Sequence, residues 1–461
     1  MSTQPLYPNS HSERRQIETP SERLSPEEYR TPWRIDYARI LHSPCFRRLQ
    51  GKNQLLPSTD SDFFRNRLTH SLEVAQISHS IADRLNHEFL AKHNYSINVD
   101  LCEAAALAHD LGHPPFGHQG ECALNNIMKG NGGYEGNAQT FRILTKLEKK
   151  FQSEQPQLDA DRLGLNLCYR TLASIVKNDN VIPQDLPTDE NGNAEKIKGV
   201  YLCDSHILDD IKNKLASVDC QLKTVEEQIM DIADDIAYSN YDLEDAMKGG
   251  VLSPLSIAFP NFDSLKKILW SMTEFLGKPF NYGDFEREIQ ELFGDFSPNS
   301  GPSSSFYDDV YAAYLSSKWT KENGYFRTKV TSYIIGMFIR GISIKEVNEE
   351  RPWLSQIHID ENVLLKIELL KKITLYSIIL TPKMEARNFQ AAEMIERMFD
   401  AVLNNPKLLP DDSADMYASV SVDLQKRVVC DFIAGMTDKY AFEFYKRLFY
   451  PSNKSFFEPH W

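Results

Sequence analysis

From Ala108 the chain reads Ala108-His109-Asp110-Leu111-Gly112-His113-Pro114-Pro115-Phe116-Gly117-His118-Gln119-Gly120-Glu121, which gathers three histidines and two carboxylates into one short segment. Imidazole and carboxylate are the donors that hold Zn, Mn, Fe or Co, and the mixture favours a hydrolytic metal over a purely structural one. Gly112 and the Pro114-Pro115 pair cannot sustain a helix, so a helix arriving from the N-terminal side must end here. On a regular helix, adjacent His109 and Asp110 would point about 100° apart. At a helix end the second residue is released from that constraint, and both can reach one ion.

Other elements must supply the remaining ligands and hold this segment in place. Leu68 to Leu85 predicts an amphipathic helix on which His70, Val74, Ile77 and Ile81 share a face. Taken alone, His70 reads as a satisfied core histidine. Val99 to His109 predicts an alanine-rich helix that ends at the opening motif. Val225 to Met247 predicts a third, stopped by Gly249-Gly250, with Ile229, Ile232, Ala233, Ile236 and Ala237 on its buried side. Asp231, Asp234, Tyr238 and Asp242 form a second stripe on it. Carboxylates stacked in this way repel unless they are solvated or neutralised by a cation. A solvated acidic face is the plain reading, but Ile232, Ala233, Ile236 and Ala237 make the surroundings too apolar for it.

The remaining text is also helical. Asp36 to Leu49 predicts a helix with Pro44 as a break, and Pro57 to Asp62 a loop. A glycine-rich loop, Gly130 to Asn137, precedes a helix over Gln139–Lys149, and Ile182 to Gly199 is polar loop. Further helices are predicted over Phe262–Phe275, Asp284–Phe293, Tyr325–Arg340, Val363–Leu380, Asn388–Leu403 and Val422–Leu448. A Ser/Pro/Gly stretch at Phe296–Ser305 is the linker candidate. Strand alternation is scarce, so the fold class is mainly α.

Composition bounds the function. A chain of 461 residues with 41% hydrophobic and 25% charged content suits a large soluble body. Seven scattered cysteines without a CxxC pair argue against a disulfide framework or thiolate zinc, and for a reducing, cytoplasmic setting. The polar N-terminus is no signal peptide, and no apolar run reaches membrane-spanning length. A net charge of −14 excludes a generic nucleic-acid binder. Charge is uneven, though: Arg30, Arg34, Arg39, Arg47, Arg48, Lys52, Arg65 and Arg67 make a basic segment. It reads either as surface ion pairs or as a site for an anionic ligand.

His70, then His109-Asp110, then Asp234 resembles the H…HD…D pattern of the HD-domain phosphohydrolases. Longer stretches are more specific: Phe46–Gln50, Arg65–Ala75, Ala108–Glu121, Tyr134–Gln139 and Asp234–Tyr238, in that order. Together they look like the deoxynucleoside triphosphate triphosphohydrolase branch, of the dGTPase type. The likeness covers about Thr31 to Gly250 and returns at Asp431–Phe449 with Gly435-Met436-Thr437-Asp438-Lys439-Tyr440-Ala441. It is weak around Pro260–Tyr307. It implies an HD-domain helical fold with additional C-terminal helices: a polar arm over 1–29, a catalytic core over 30–250, and a helical part over 251–461 with an insert at 260–307.

The resemblance also implies roles. His70, His109, Asp110 and Asp234 would hold a divalent metal, Mn or Mg first, with Fe, Co or Zn as alternatives. His118 and Glu121 match the family's catalytic pair, and three residues apart they can face each other across one helical turn. His113 stands with them, either in proton transfer or on phosphate. Arg67 matches a contact to the α-phosphate and Lys177 one to the triphosphate. Gln54, Leu55, Tyr238 and Asp242 match residues beside the sugar and base. The implied reaction takes a dNTP and water to the deoxynucleoside and inorganic triphosphate. Implied partners are the dNTP, further copies of the chain in a homo-oligomer (a hexamer in relatives), and single-stranded DNA. The rival readings are another HD phosphohydrolase, a monophosphatase or phosphodiesterase, and a nucleotide- or single-strand-binding regulator. The Tyr134–Gln139 segment and the Tyr238/Asp242 pair argue against the first rival, and the complete ligand set against the second.

Overall fold

The computed structural model describes residues 4–16, 29–56, 63–152, 162–215, 218, 220–253, 256–257, 260–293, 322–380 and 382–450. The predicted loops 57–62 and 296–305, and parts of the 1–29 arm and the 260–307 insert, lie outside the described residues. The architecture is mainly α. In chain order the helices are α1 Pro32–Leu41, α2 Pro44–Arg48, α3 Arg67–Glu88, α4 Val99–Ala108, α5 Gly117–Ile127, α6 Gly136–Arg142, α7 Tyr169–Ala173, α8 Ser205–Lys214 and α9 Val225–Lys248. They continue as α10 Phe262–Leu276, α11 Tyr282–Phe293, α12 Gly324–Arg340, α13 Glu361–Thr374, α14 Pro382–Asn404, α15 Asp411–Ser419, α16 Val422–Ala434 and α17 Asp438–Phe449. Among the described residues the sheets are four two-stranded pairs.

Caps explain most boundaries. Asn66 and Thr69 form a reciprocal capping box that starts α3. Asn98 caps α4, Glu135 caps α6 and Thr224 caps α9. The predicted helix over 36–49 is two helices, because Pro44 lacks an N–H and instead opens α2 behind the Ser43 cap. The predicted helix over 422–448 is also two. Gly435 closes α16, and the Thr437 hydroxyl accepts the Tyr440 N–H to begin α17. Two predicted helix ends, near Lys149 and Leu380, finish in π turns at Ile143–Leu147 and Leu375–Ile379.

The helices α3, α4 and α9 pack on one another, with α1 against α4 and α13 against α9. Val74, Ile77 and Ile81 of α3 meet Leu101, Ala104, Ala105 and Ala108 of α4 and Ile229, Ala233 and Ile236 of α9 in one buried cluster. Alanines on α4 let the two long helices approach closely. Each fully buried Ile or Leu in this cluster contributes about 1.5–3 kcal/mol. A second cluster joins Ala123 and Leu124 of α5 to Met398 and Phe399 of α14, Val429 and Ile433 of α16 and Phe444 of α17. Helix α5 is therefore the element that the C-terminal helices grip.

The described part of the N-terminal arm is fastened to this body. Gln4–Pro5 pairs in parallel with Tyr95–Ser96, Leu6 and Tyr7 are buried, and Arg14 reaches the buried Asp36 at 2.5 Å. No helix among the described residues is long and apolar enough to cross a membrane.

Candidate metal centre and active site

Three elements converge at one point. His70 lies in the first turn of α3, His109 is the C-cap of α4, and Asp234 sits in the middle of α9. One ligand atom from each falls within 4.8 Å of the others. The His70 Nε2 is 3.1 Å from Asp234 Oδ1, and the two imidazoles meet edge to face at 5.5 Å. His109 Nδ1 lies 2.6 Å from the Ala106 carbonyl oxygen, to which it donates. That bond fixes the tautomer and leaves the Nε2 lone pair pointing at the cluster. Nε2 is buried, has no hydrogen-bond partner, and is 3.5 Å from both Asp234 Oδ1 and Asp110 Oδ1. A buried imidazole nitrogen facing two carboxylates fits a divalent cation, as does the mixed nitrogen and oxygen donor set.

Asp110 stands beside this trio and is turned toward other partners. Its Oδ2 accepts from Arg67 Nη1 at 2.8 Å, and its Oδ1 is 2.9 Å from His113 Nδ1. The Arg67 guanidinium, followed by His113 and His109, overcomes burial and holds the Asp110 carboxyl well below the usual carboxylate range. Burial and the same guanidinium push the His113 imidazole down, while Asp110 and Glu121 oppose this. The structure places His113 against Asp110 and close enough to Glu121 of α5 to feel its charge. Lys177 Nζ lies 3.0 Å from Asp231 and 3.2 Å from Asp234, which holds its ammonium charged despite burial.

His118 and Glu121 occupy the first turns of α5. His118 Nδ1 is 3.4 Å from Glu121 Oε2, and its Nε2 faces the Cys122 thiol at 3.7 Å. Those contacts with Cys122 and Glu121 push the imidazolium up to about 9. Burial opposes ionisation of Glu121, but the His118 bond and the Lys196 ammonium hold its carboxyl well below the ordinary range. Glu121 is anchored twice more: Oε1 accepts the Gly136 N–H at 2.9 Å, and Lys196 Nζ lies 2.7 Å from Oε2.

The predicted sugar-side residues carry a common feature. Asp242, two turns after Asp234 on α9, is 1% exposed and its Oδ1 has no hydrogen-bond partner. Burial pushes its carboxyl up to about 7. Gln54 Oε1 is also a buried acceptor without a donor. Tyr238 is half-buried one turn before Asp242, and burial followed by the Asp242 charge raises its phenol. Leu55 packs, partly buried, against the main core.

The basic segment resolves mainly into ordinary pairs. Arg34 meets Asp100, Arg48 meets Glu148, and Arg65 meets Glu73, Glu244 and Asp245. Arg39 donates to the carbonyls of Leu165 and Asn166. Arg67 and Lys52 are the members that reach the site.

Several site neighbours were given no individual role by the sequence. Lys196 comes from the polar loop 182–199 and has no periodicity to mark it. Lys52, buried, donates to the carbonyls of His113 and Ala434. Burial, followed by Arg48 and Arg67, lowers its ammonium to about 7. Cys122 was visible only as a scattered thiol. Asp438 lay in a quoted motif without a role.

Known proteins match this chain along almost all of its length. The HD domain family matches residues 67–239, and the phosphohydrolase-associated domain matches residues 357–447. A "Deoxyguanosinetriphosphate triphosphohydrolase-like protein 2" of Mesorhizobium japonicum is 38% identical, covering 94% of this chain and 96% of the relative. The protein of the same name in Deinococcus radiodurans is 33% identical over 95% of this chain and 98% of its own length. A "Deoxyguanosinetriphosphate triphosphohydrolase-like protein" of Shewanella loihica is 30% identical over 93% and 95%. The HD match begins at Arg67 and spans every residue of the proposed metal cluster, and the second match covers the helices that grip α5. With likeness of this extent, the chain belongs to the deoxyguanosinetriphosphate triphosphohydrolase-like family of HD-domain phosphohydrolases.

Proposed function

We propose that the protein hydrolyses deoxynucleoside triphosphates, dGTP foremost, to the deoxynucleoside and inorganic triphosphate. The observation that carries this over other HD-type reactions is Asp242. A buried carboxyl with an unpartnered oxygen, on the same helix as the ligand Asp234, requires a hydrogen-bond donor from a ligand, and a sugar 3′-hydroxyl is such a donor. Tyr238, between the two, would fill the place of a 2′-hydroxyl. The names of the relatives point to the same substrate class.

His70, His109 and Asp234, with Asp110 beside them, would hold the divalent cation. Bound there, it would offset the carboxylate charge and acidify a water. The two imidazoles favour Mn over Mg, which prefers an all-oxygen shell. Arg67 and Lys177 would bind phosphate oxygens and set the α-phosphorus in line with the attacking water. Water adds to that phosphorus, the bond to O5′ breaks, and O5′ leaves as the alcohol by taking a proton. His118, an imidazolium at neutral pH, is the donor, and Glu121 holds it in orientation. His113, held 2.9 Å from Asp110, would contact phosphate.

Incubating the protein with dGTP and Mn²⁺ and separating the products tests this reading. Deoxyguanosine and triphosphate in equal amounts are expected. Orthophosphate or pyrophosphate at the earliest times, without triphosphate, would overturn it. A panel of the other dNTPs and GTP then ranks the bases and shows whether a 2′-hydroxyl is refused.

A further inference from the structure

Asp438 is the first residue of α17, far from the metal cluster in sequence and outside the HD match. Its carboxylate nevertheless joins two loops of the candidate site. Oδ1 accepts the Phe116 N–H at 2.9 Å. Oδ2 accepts the Asn53 N–H at 3.0 Å and the Asn53 side-chain amide at 2.7 Å. Phe116 is the N-cap of α5 and has φ of 64°, a left-handed conformation that a bulky side chain avoids. Its side chain offers the helix no cap, so the turn before His118 is secured from outside. Asn53 precedes Gln54 and Leu55 and bridges to Asn66, the residue that caps α3.

Two further contacts bind the same junction. The Lys52 ammonium joins the carbonyls of His113 and Ala434. Gly51 lies so close to Thr437 that a Cβ there would come within 2.8 Å of its Cγ2. Behind them, Ala123 and Leu124 on the back of α5 are packed in the C-terminal cluster.

We propose that Asp438 is a positioning residue, through which the C-terminal helices hold the turn carrying His118 and Glu121 in register with the loop carrying Gln54 and Leu55. The metal ligands sit on α3, α4 and α9, which pack together without it. The turn before His118 and the sugar-side loop are joined by few bonds, Lys52 to the His113 carbonyl and the Asp438 carboxylate, which alone accepts from a backbone N–H of each. The proposal gives the phosphohydrolase-associated segment a part in the site. Only its kinetic test rests on the triphosphohydrolase reading.

The test compares the full-length wild type with Asp438→Ala and Asp438→Asn. Asn keeps the shape and one acceptor, so it folds if Ala does not, but its NH2 then faces an N–H group. Three quantities are read: Mn²⁺ affinity, kcat and KM for dGTP, and hydrogen–deuterium exchange over residues 49–56 and 111–118. Mn²⁺ affinity is expected to be unchanged. Losing this outer partner should lower kcat/KM by about 10–100-fold, with Asn between Ala and wild type. KM should rise and kcat fall together, because the two loops serve different halves of the reaction. Exchange should quicken in the two segments and stay the same elsewhere. Exchange and kcat/KM unchanged in both variants would overturn the proposal. So would losses of metal affinity and protection throughout the molecule, which would make Asp438 merely structural. If the wild type releases no triphosphate, the triphosphohydrolase reading fails by itself, and exchange with Mn²⁺ affinity still decides whether the clasp exists.

Discussion

At the scale of single residues, the proposed proton donor His118 is where protonation would decide the chemistry. It is more than half exposed, yet Cys122 and Glu121 keep its proton on to about 9. An acid used in that form predicts turnover that falls as pH rises through about 9, read as the alkaline limb of kcat. The folded-state value lies above the unfolded 6.5, so any stability from this group is fully present below about 6.5 and is lost as pH climbs through about 9. His118→Gln should keep Mn²⁺ binding and lose about 10²–10⁴-fold in kcat, the usual range for a positioned acid. Near-normal turnover would remove its role. Lys196 competes with His118 for one oxygen of Glu121. Lys196→Met should therefore raise the His118 value further, by about half a pH unit, because more of the carboxylate charge is left to the imidazolium. Histidine-selective NMR titration reads this directly. Spacing placed His70, His109, Asp234 and Asp242 on helices or at a helix end, but His70 alone read as a core histidine, and only the family resemblance joined them into one candidate site. Lys196 comes from a loop with no period, and Lys52 was named only within the basic segment because its carbonyl partners are distant in sequence.

At the scale of elements, the site depends on how α4 ends. Gly112 follows the His109-Asp110 pair, and a Cβ there would lie 2.0 Å from the Gly136 carbonyl oxygen and 2.4 Å from the Thr140 N. The end of α4 and the start of α6 touch backbone to backbone, and the Gly136 N–H in turn holds Glu121. Gly112→Ala should cost about 1–3 kcal/mol of stability by overpacking and should also displace Glu121. A thermal melt with a parallel activity assay checks both, and a variant as stable and active as wild type would refute the close approach. Six of the helices, α3, α4, α9, α10, α11 and α12, were predicted within a few residues of their observed ends, and α3, α4 and α9 each combine an apolar stripe with a strong cap or a glycine stop. The errors came where tertiary packing and local chemistry decide. Thr437 starts a new helix inside a run whose apolar period continues, whereas the break at Pro44 was anticipated. The π turns at Ile143–Leu147 and Leu375–Ile379 leave no mark in the period at all.

For the whole molecule, there are two main apolar clusters, one built around α3, α4 and α9 and the other joining α5 to the C-terminal helices. The sequence showed both as helical but not that the second grips α5, because that contact joins residues hundreds of positions apart. A cation bound by His70, His109 and Asp234 would tie α3, α4 and α9 together. Binding to the folded state alone then stabilises it by about 2.7 kcal/mol at a hundredfold excess over Kd. Chelator should lower the melting temperature and Mn²⁺ restore it, whereas Asp234→Ala should not respond to Mn²⁺ and should lose turnover with it. A wild-type melt indifferent to chelator and Mn²⁺ would count against the cluster as a metal centre.

The central claim is that water attacks the α-phosphorus and the triphosphate leaves whole. Hydrolysis of dGTP in ¹⁸O-water with Mn²⁺, followed by mass spectrometry of both products, tests it most directly. The account predicts one ¹⁸O in the inorganic triphosphate and none in the deoxyguanosine. Label in the deoxyguanosine, or label in orthophosphate with no triphosphate formed, would contradict it.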